Sequence, residues 1–95
     1  MGSEQIEVVN NTGRSRYEAV VDGELAFADY TIEDNRIIFP HTVVPSAIEG
    51  RGIASEIARV ALEEARERGL EVVPYCAFFI DYIGKHPEYK DLVKS

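Results

Sequence analysis

Several common features are scarce or absent in this 95-residue sequence. It has a single cysteine, Cys76, which excludes an internal disulfide bond, and it has no tryptophan. A chain without disulfides is typical of a reducing compartment, so we expect a cytoplasmic location. No apolar run approaches the roughly 20 residues of a membrane-spanning helix, so we predict no membrane partner.

Basic residues are also in short supply. The chain has 17 acidic and 10 basic residues, for a net charge of −7, and residues 1–48 have eight acids, three arginines and no lysine. Nucleic acid is therefore excluded as a general partner, because phosphate contacts need clustered Lys and Arg. The 45% hydrophobic content still predicts a folded chain, and the length predicts one domain over residues 1–95.

The first half alternates in the manner of short β-strands. Turn signals at Asp22-Gly23 and at Glu33-Asp34-Asn35 indicate hairpins and hence an antiparallel meander. Pro40 predicts a bulge or a split in the fourth strand. The predicted strands run from Glu4 to Asn10, Arg14 to Val21, Leu25 to Tyr30 and Arg36 to Val44.

The second half changes to a helical period. An apolar stripe that begins at Ile53 predicts a long helix, and Gly69 is well placed to end it. Leu70 to Pro74 reads as a fifth strand, followed by a helix from Ala77 to Lys85 and a last helical turn from Glu88 to Val93. Strand four, the long helix and strand five then form a right-handed βαβ crossover. We predict an α+β fold with a mixed, mostly antiparallel sheet and a C-terminal helix.

A glycine-rich turn precedes the long helix. Gly50 and Gly52 allow a close approach of the backbone to a ligand, and the free amides of a helix N-terminus favour an anion, to which Arg51 can add a charged contact. On residue types alone, two interpretations of this turn remain open, an anion-binding site and a tight turn without a ligand. The P-loop is excluded because Gly-Lys-Ser/Thr is missing. A Rossmann turn is rejected because hairpins precede the motif and only one crossover follows.

The same turn resembles the phosphate-binding motif of the GNAT superfamily of N-acetyltransferases. Gly52 and Ala54 match that motif, whereas Glu49 departs at its first position. The chain is most similar to the minimal single-domain branch, from about Tyr17 to Val93. The shared pattern comprises His41-Thr42, Pro45, the turn from Gly50 to Ser55, Cys76, Phe78, Tyr82-Ile83, His86-Pro87-Glu88-Tyr89 and Leu92-Val93.

This resemblance implies acetyl-coenzyme A as the acetyl donor and a GNAT-like fold. The pantetheine arm would follow the edge of the fourth strand at Val43 and Val44, and Lys85 could meet a coenzyme phosphate. We predict no metal site. The pyrophosphate would lie on the amides of the turn, which the resemblance assigns to Arg51, Gly52, Ile53 and Ala54, with Ser55 nearby.

Two side chains are candidates for catalysis. Cys76 falls at the start of the second helix, where a thiol can be activated as a nucleophile for acetyl, although a free cysteine is often only a small buried residue. His41 is the best candidate base because its ordinary pKa is near neutrality, and the alternative is a strand histidine without a role. Most GNAT enzymes transfer acetyl directly to a bound amine.

The predicted function is transfer of acetyl from acetyl-coenzyme A to an amine. The acidic surface favours a cationic acceptor, such as a small amine or a protein lysine or N-terminus. The alternative is a module that binds coenzyme A or a protein with little catalysis. We expect a monomer, with a dimer through an unpaired sheet edge left open.

Overall fold

Seven short strands and two helices make up the described part of the chain. The computed structural model describes residues 6–93. Within residues 6–93 no helix is long and apolar enough to cross a membrane. The strands are β1 (Val9–Asn11), β2 (Arg16–Val21), β3 (Glu24–Asp29), β4 (Thr31–Glu33), β5 (Arg36–Phe39), β6 (Thr42–Val43) and β7 (Glu71–Pro74), the helices are α1 (Ile53–Glu67) and α2 (Ala77–Lys85), and 3₁₀ segments cover Ser46–Ile48 and Pro87–Leu92.

The predicted α+β fold is confirmed. Strands β5 and β7 are parallel neighbours with α1 between them in the chain, and the other strand pairs are antiparallel. The β2–β3 hairpin turns at Asp22 and Gly23, with φ of 53° and 78°. Asp34 and Asn35 also have positive φ in the β4–β5 turn. Both turns use residues that tolerate the left-handed region, which matches the twist of paired strands.

The predicted strands are wrong in number and in some bounds. The strand predicted from Glu4 to Asn10 corresponds to β1, which begins at Val9 because its pairing with β2 starts there. Glu4 lies outside the described residues. β2 begins two residues later than predicted because Ser15, with φ of 53°, still belongs to the preceding turn. The three residues of β4 were not predicted.

The strand predicted from Arg36 to Val44 is divided in two. β5 ends at Phe39 and β6 begins at Thr42, because Pro40 has no N–H with which to continue the ladder. β5 pairs with β4 and β7, whereas β6 pairs with β3. The chain thus forms a first sheet in the order β1-β2-β3-β6 and a second sheet in the order β4-β5-β7, instead of the single predicted sheet.

Helix α1 covers one face of the first sheet. It packs against β2 and β3, and small side chains on both partners bring helix and strands close together. The buried residues of α1 are Ile53, Ile57, Ala58, Ala61, Leu62 and Ala65. Beyond its last residue, the Leu70 N–H donates to the Ala65 carbonyl at 2.9 Å while Gly69 has a φ of 67°, so the predicted glycine stop is confirmed.

The two faces of the first sheet differ in burial. Tyr17, Ala19, Ala26 and Ala28 are buried and define what we call the inner face, towards α1. Their neighbours in the strands point the opposite way, to what we call the outer face, because successive strand side chains alternate. Val20 on the outer face remains 66% exposed.

Candidate functional site

The turn from Glu49 to Gly52 leads directly into α1. Gly50 and Gly52 have φ of 80° and 76°, in the left-handed region that side chains with a Cβ rarely adopt. Gly52 is the N-cap residue of α1, and no side chain caps the helix there. The two glycines therefore have a backbone reason to be glycine, and the helix end is left for another partner.

Three backbone amides are available at this helix end. The Glu56 N–H donates to the Gly52 carbonyl at 3.0 Å, which closes the first turn of α1. Within residues 6–93, the N–H groups of Ile53, Ala54 and Ser55 have no hydrogen-bond acceptor. Their dipoles add to that of the helix, so the turn presents a partial positive charge suited to a phosphate group.

A cavity of about 220 Å³ opens beside these amides. Its polar side is the turn and the first residues of α1, and its apolar side is formed by Val44 after β6, Ile48 and the ring of Phe78 on α2. A ligand with a charged group and a less polar chain would match both sides of this cavity. The turn, the end of β6 and α2 are thus brought together.

The Arg51 side chain adds a link to the β2–β3 hairpin. Its Nη1 lies 2.7 Å from Oδ2 of Asp22, in the turn between those strands. The Arg51 guanidinium, which was predicted to contact an anionic ligand, therefore contacts the carboxylate of Asp22. The Arg51–Asp22 contact also ties the hairpin to the start of α1.

Cys76 is the N-cap residue of α2 and is only 8% exposed. Its N–H donates to the Phe39 carbonyl at 2.9 Å, and its own carbonyl accepts from Ile80 at 3.1 Å. Its thiol does not cap α2; Sγ lies 3.3 Å from Oγ1 of Thr42 on β6. The thiol therefore lies between β6 and the strand-to-helix turn after β7.

His41 immediately precedes β6, and its side chain lies on the other face of the first sheet. Its Nε2 is 2.7 Å from Oδ2 of Asp29 at the end of β3. Thr42 is paired with buried Ala28 and shares the inner face, whereas Asp29 follows Ala28 and points outward. The two predicted catalytic side chains, His41 and Cys76, thus have different partners on opposite faces of the first sheet.

Comparison with known proteins identifies the family of this chain. The profile of GCN5-related N-acetyl-transferases matches residues 16–92. The chain belongs to this family. It is also 31% identical over 85 residues to Protein NATD1 of Gallus gallus, of Mus musculus and of Homo sapiens; the match covers 86% of this chain and 77%, 77% and 75% of those proteins.

A solved structure supports the same assignment at the level of the fold. The solution NMR structure of a GCN5-like protein from Staphylococcus aureus matches with a TM-score of 0.74 and 25% sequence identity. The match covers 94% of this chain and 88% of that protein. The resemblance to GNAT enzymes and the predicted fold class are both confirmed.

The remaining predicted site residues of this GCN5-related chain lie in two places. β6 is an edge strand of the first sheet, so Val43 keeps backbone groups on one side that β3 does not pair. Val44 lines the cavity beside the turn. Lys85 is the last residue of α2, where its Nζ lies 3.2 Å from Oδ2 of Asp81, and it does not line that cavity.

Sequence reasoning gave no individual role to three residues that contact the predicted site. Asp22 pairs with Arg51, Asp29 with His41 and Thr42 with Cys76. Each contact crosses between strands or hairpins and depends on the register. The available signals were the Asp22-Gly23 turn and the adjacency of His41 and Thr42, but neither specifies a partner.

Proposed function

We propose that this member of the GCN5-related family transfers acetyl from acetyl-coenzyme A to an amine acceptor. The observation that carries the proposal is the start of α1. There the unpaired amides of Ile53, Ala54 and Ser55 follow two glycines of positive φ and open onto the cavity. Phosphate at a helix N-terminus is a recurring use of such amides.

The residues present fit acetyl-coenzyme A as donor. The pyrophosphate would be held by the amides from Arg51 to Ala54, with the Ser55 hydroxyl beside them. The pantetheine arm carries amide groups, and the unpaired edge at Val43 of β6 and at Val44 just after it would offer complementary backbone groups. The coenzyme supplies an acetyl thioester, whose carbonyl carbon is open to attack by an amine or a thiol.

Two routes for the acetyl group follow from the site. In direct transfer, His41 would take one proton from the protonated acceptor so that the neutral amine could attack the acetyl carbon. The bond from that carbon to the coenzyme sulfur would break, and the surplus proton on the amine would leave with the sulfur as a thiol. In the alternative route, Sγ of Cys76 bonds to the acetyl carbon, the bond to the coenzyme sulfur breaks, and the thiol proton leaves with that sulfur. The amine then displaces Cys76 and restores the thiol.

A second candidate function is a coenzyme-binding module with little catalysis. The separation of Cys76 and His41 favours it, because no contact couples the thiol to the base within residues 6–93. We further propose a reducing, cytoplasmic setting, because the only cysteine is a free thiol.

Turnover of acetyl-coenzyme A with a panel of amines tests the proposal. We expect acetylated product with the unaltered protein and with Cys76→Ser, but not with Cys76→Ala. The comparison of Cys76→Ser with Cys76→Ala reports on any role of the hydrogen bond made by the Cys76 side chain. Intact mass after incubation with donor alone reveals acetyl on Cys76 if the second route operates. Coenzyme binding without any acetylated amine would favour the binding module instead.

A further inference from the structure

An apolar groove lies between the end of β7, helix α2 and the C-terminal 3₁₀ segment. It has a volume of about 310 Å³. Ile80 in its wall is 54% exposed, although burial of so large an aliphatic side chain is favourable. Within residues 6–93 this surface is left open, and the residues that line it are Pro74, Ile80, Ile83, Gly84, Lys90 and Val93.

Gly84 leaves room in this groove. It follows Ile80 by four residues, so both lie on the same face of α2. A Cβ atom at Gly84 would meet no heavy atom within 4 Å outside the backbone of its own helix and its chain neighbours. Gly84 has no positive φ, so the open space above it, rather than a turn, distinguishes this glycine. An apolar side chain from another molecule would fit that space.

Lys90 gives the groove a positive charge. Among the described residues that line the groove, Lys90 alone is charged. Its acidic neighbour in the chain, Asp91, contacts Arg66 at 3.0 Å. Within residues 6–93, the Lys90 ammonium has no carboxylate at ion-pair distance. A ligand with an apolar group and a carboxylate would therefore complement the groove, since the carboxylate adds a charge-assisted contact to apolar burial.

The free edge of β7 ends at this groove. The Glu71 N–H donates to the Asn35 carbonyl at 2.9 Å, on the side of β5, and the Tyr75 N–H donates to the same side. Backbone groups alternate between the two sides of a strand, so those of Val72 and Pro74 face away from β5. Because β7 is an edge strand of the second sheet, an added strand could pair with Val72.

Pro74 limits how far an added strand can run. Proline has no N–H, so on its free side β7 offers no ladder donor after Val72. The groove begins at this same proline. A chain that ends there would place its last side chain in the groove and its terminal carboxylate near Lys90. The end of a polypeptide thus fits better than a free fatty acid, which has a carboxylate and an apolar chain but cannot use the backbone groups of Val72.

We propose that the β7 edge and the groove bind the carboxyl terminus of a partner polypeptide whose last side chain is apolar. The residues before the last pair with Val72 as an added strand, which is a recurring mode of peptide recognition. The last side chain fills the space beside Gly84 and Ile80, and the terminal carboxylate contacts Lys90. The proposal does not depend on acetyl transfer, because none of the residues that line the groove lines the donor cavity.

Calorimetry with pentapeptides that end in Val, Leu, Ile or Phe tests the role of the carboxylate. Each peptide is compared as the free acid and as the C-terminal amide. We expect at least one acid to bind and its amide to bind about tenfold more weakly, as expected for a lost charge-assisted contact. Absence of binding by all the acids, or equal affinity of acid and amide, overturns the proposal.

Lys90→Gln tests the residue assigned to the carboxylate, and Arg14→Gln is the matched control. Arg14 is an exposed residue of the β1–β2 turn and does not line the groove. Lys90→Gln should remove the preference for acid over amide, whereas Arg14→Gln should retain it. A preference that survives in Lys90→Gln places the carboxylate elsewhere and overturns the site.

Gly84→Leu tests the groove while it keeps the helix. Leu favours a helix more than Gly does, so α2 should be no less stable, and the added side chain would fill the open space. Gly13→Leu adds the same side chain in the β1–β2 turn, where a Cβ meets only Oδ1 of Asn11, at 3.6 Å. Peptide binding should be lost in Gly84→Leu and kept in Gly13→Leu, and unchanged affinity in Gly84→Leu overturns the groove.

Two further ligands test the added strand. A series of the same peptide, N-methylated at each residue before the last in turn, should include a member that binds about tenfold more weakly, because an N–H donor to β7 is lost. Octanoate, which has the carboxylate and an alkyl chain without a peptide backbone, should bind more weakly than the peptide. Octanoate with the affinity of the peptide, or an N-methylated series of unchanged affinity, overturns a polypeptide as the occupant.

Discussion

At the scale of single residues, the buried side-chain nitrogen and oxygen atoms within residues 6–93 all have hydrogen-bond partners. Tyr17 is fully buried, and its hydroxyl donates to Oε1 of Glu64 on α1 at 2.8 Å. Asn10 extends this set, because it accepts from Tyr30 at 2.7 Å and approaches the same Glu64 oxygen. The network joins β1, β2 and α1, so it couples the sheet to the helix that begins at the glycine turn.

Removal of the Glu64 acceptor should destabilise the fold. In Glu64→Ala the Tyr17 hydroxyl loses its acceptor, which costs about 1–3 kcal/mol in the free energy of unfolding. Glu64→Gln keeps a carbonyl oxygen at the same place and should lose less than half as much. Urea denaturation of both variants measures the difference, and equal losses would show that the hydrogen bond is not the cause.

Tyrosine ionisation should set the alkaline limit of stability. Burial, and then the hydrogen bond to Glu63, raise the pKa of Tyr89 from 10.0 to about 12, and burial likewise raises that of Tyr17. The unfolded chain releases these protons first, so the stabilisation is complete below pH 10 and is lost as the pH rises through about 12. Thermal unfolding from neutral to alkaline pH should show this fall, and Tyr89→Phe should make it shallower; an unchanged slope would refute the role of Tyr89.

At the scale of elements, the helices could be predicted and several strands could not. The helical stripe from Ile53 and the terminator Gly69 act within one segment, so local sequence determines α1. The division of strand four depends on which neighbour each half finds, β7 for one and β3 for the other. Pro40 indicated a break there, but the choice of partner is a tertiary property.

The candidate site divides in the same way. The glycine turn was predicted because positive φ and a helix start are local features of Gly50 and Gly52. The separation of His41 from Cys76 was not predicted. It depends on the alternation of side chains between the two faces at β6 and on the register that pairs Thr42 with Ala28. A shift of one residue would exchange the two faces.

Close packing of α1 on the inner face should tolerate little added volume. Ala61 is fully buried on α1, which packs on a sheet that has alanine at three of its buried positions, Ala19, Ala26 and Ala28. Ala61→Leu should cost about 1–3 kcal/mol in the free energy of unfolding because the core must expand. Ala47→Leu, at an exposed position of the 3₁₀ segment, serves as control and should have little effect in the same denaturation experiment.

At the scale of the whole molecule, the two candidate catalytic side chains, Cys76 and His41, lie on opposite sides of β6. β6 is an edge strand whose Thr42 contacts Cys76, and the His41–Asp29 pair lies beside it on the outer face. The net charge of −7 suits an acceptor cation, whereas the amides at the start of α1 provide local positive potential for an anion. The proposed acetyl transfer requires two ligands of opposite charge, an anionic donor and a cationic acceptor.

Calorimetric titration of acetyl-coenzyme A tests the central claim, that the start of α1 holds the donor. Gly52→Glu places a carboxylate at the N-cap, and Gly69→Glu imposes the same charge and a similar positive φ, 67° against 76°, at the other end of the helix. We predict that Gly52→Glu weakens binding by at least ~100-fold because the carboxylate occupies and repels the phosphate position. Gly69→Glu should bind like the unaltered protein, and equal affinity of all three proteins would contradict the account.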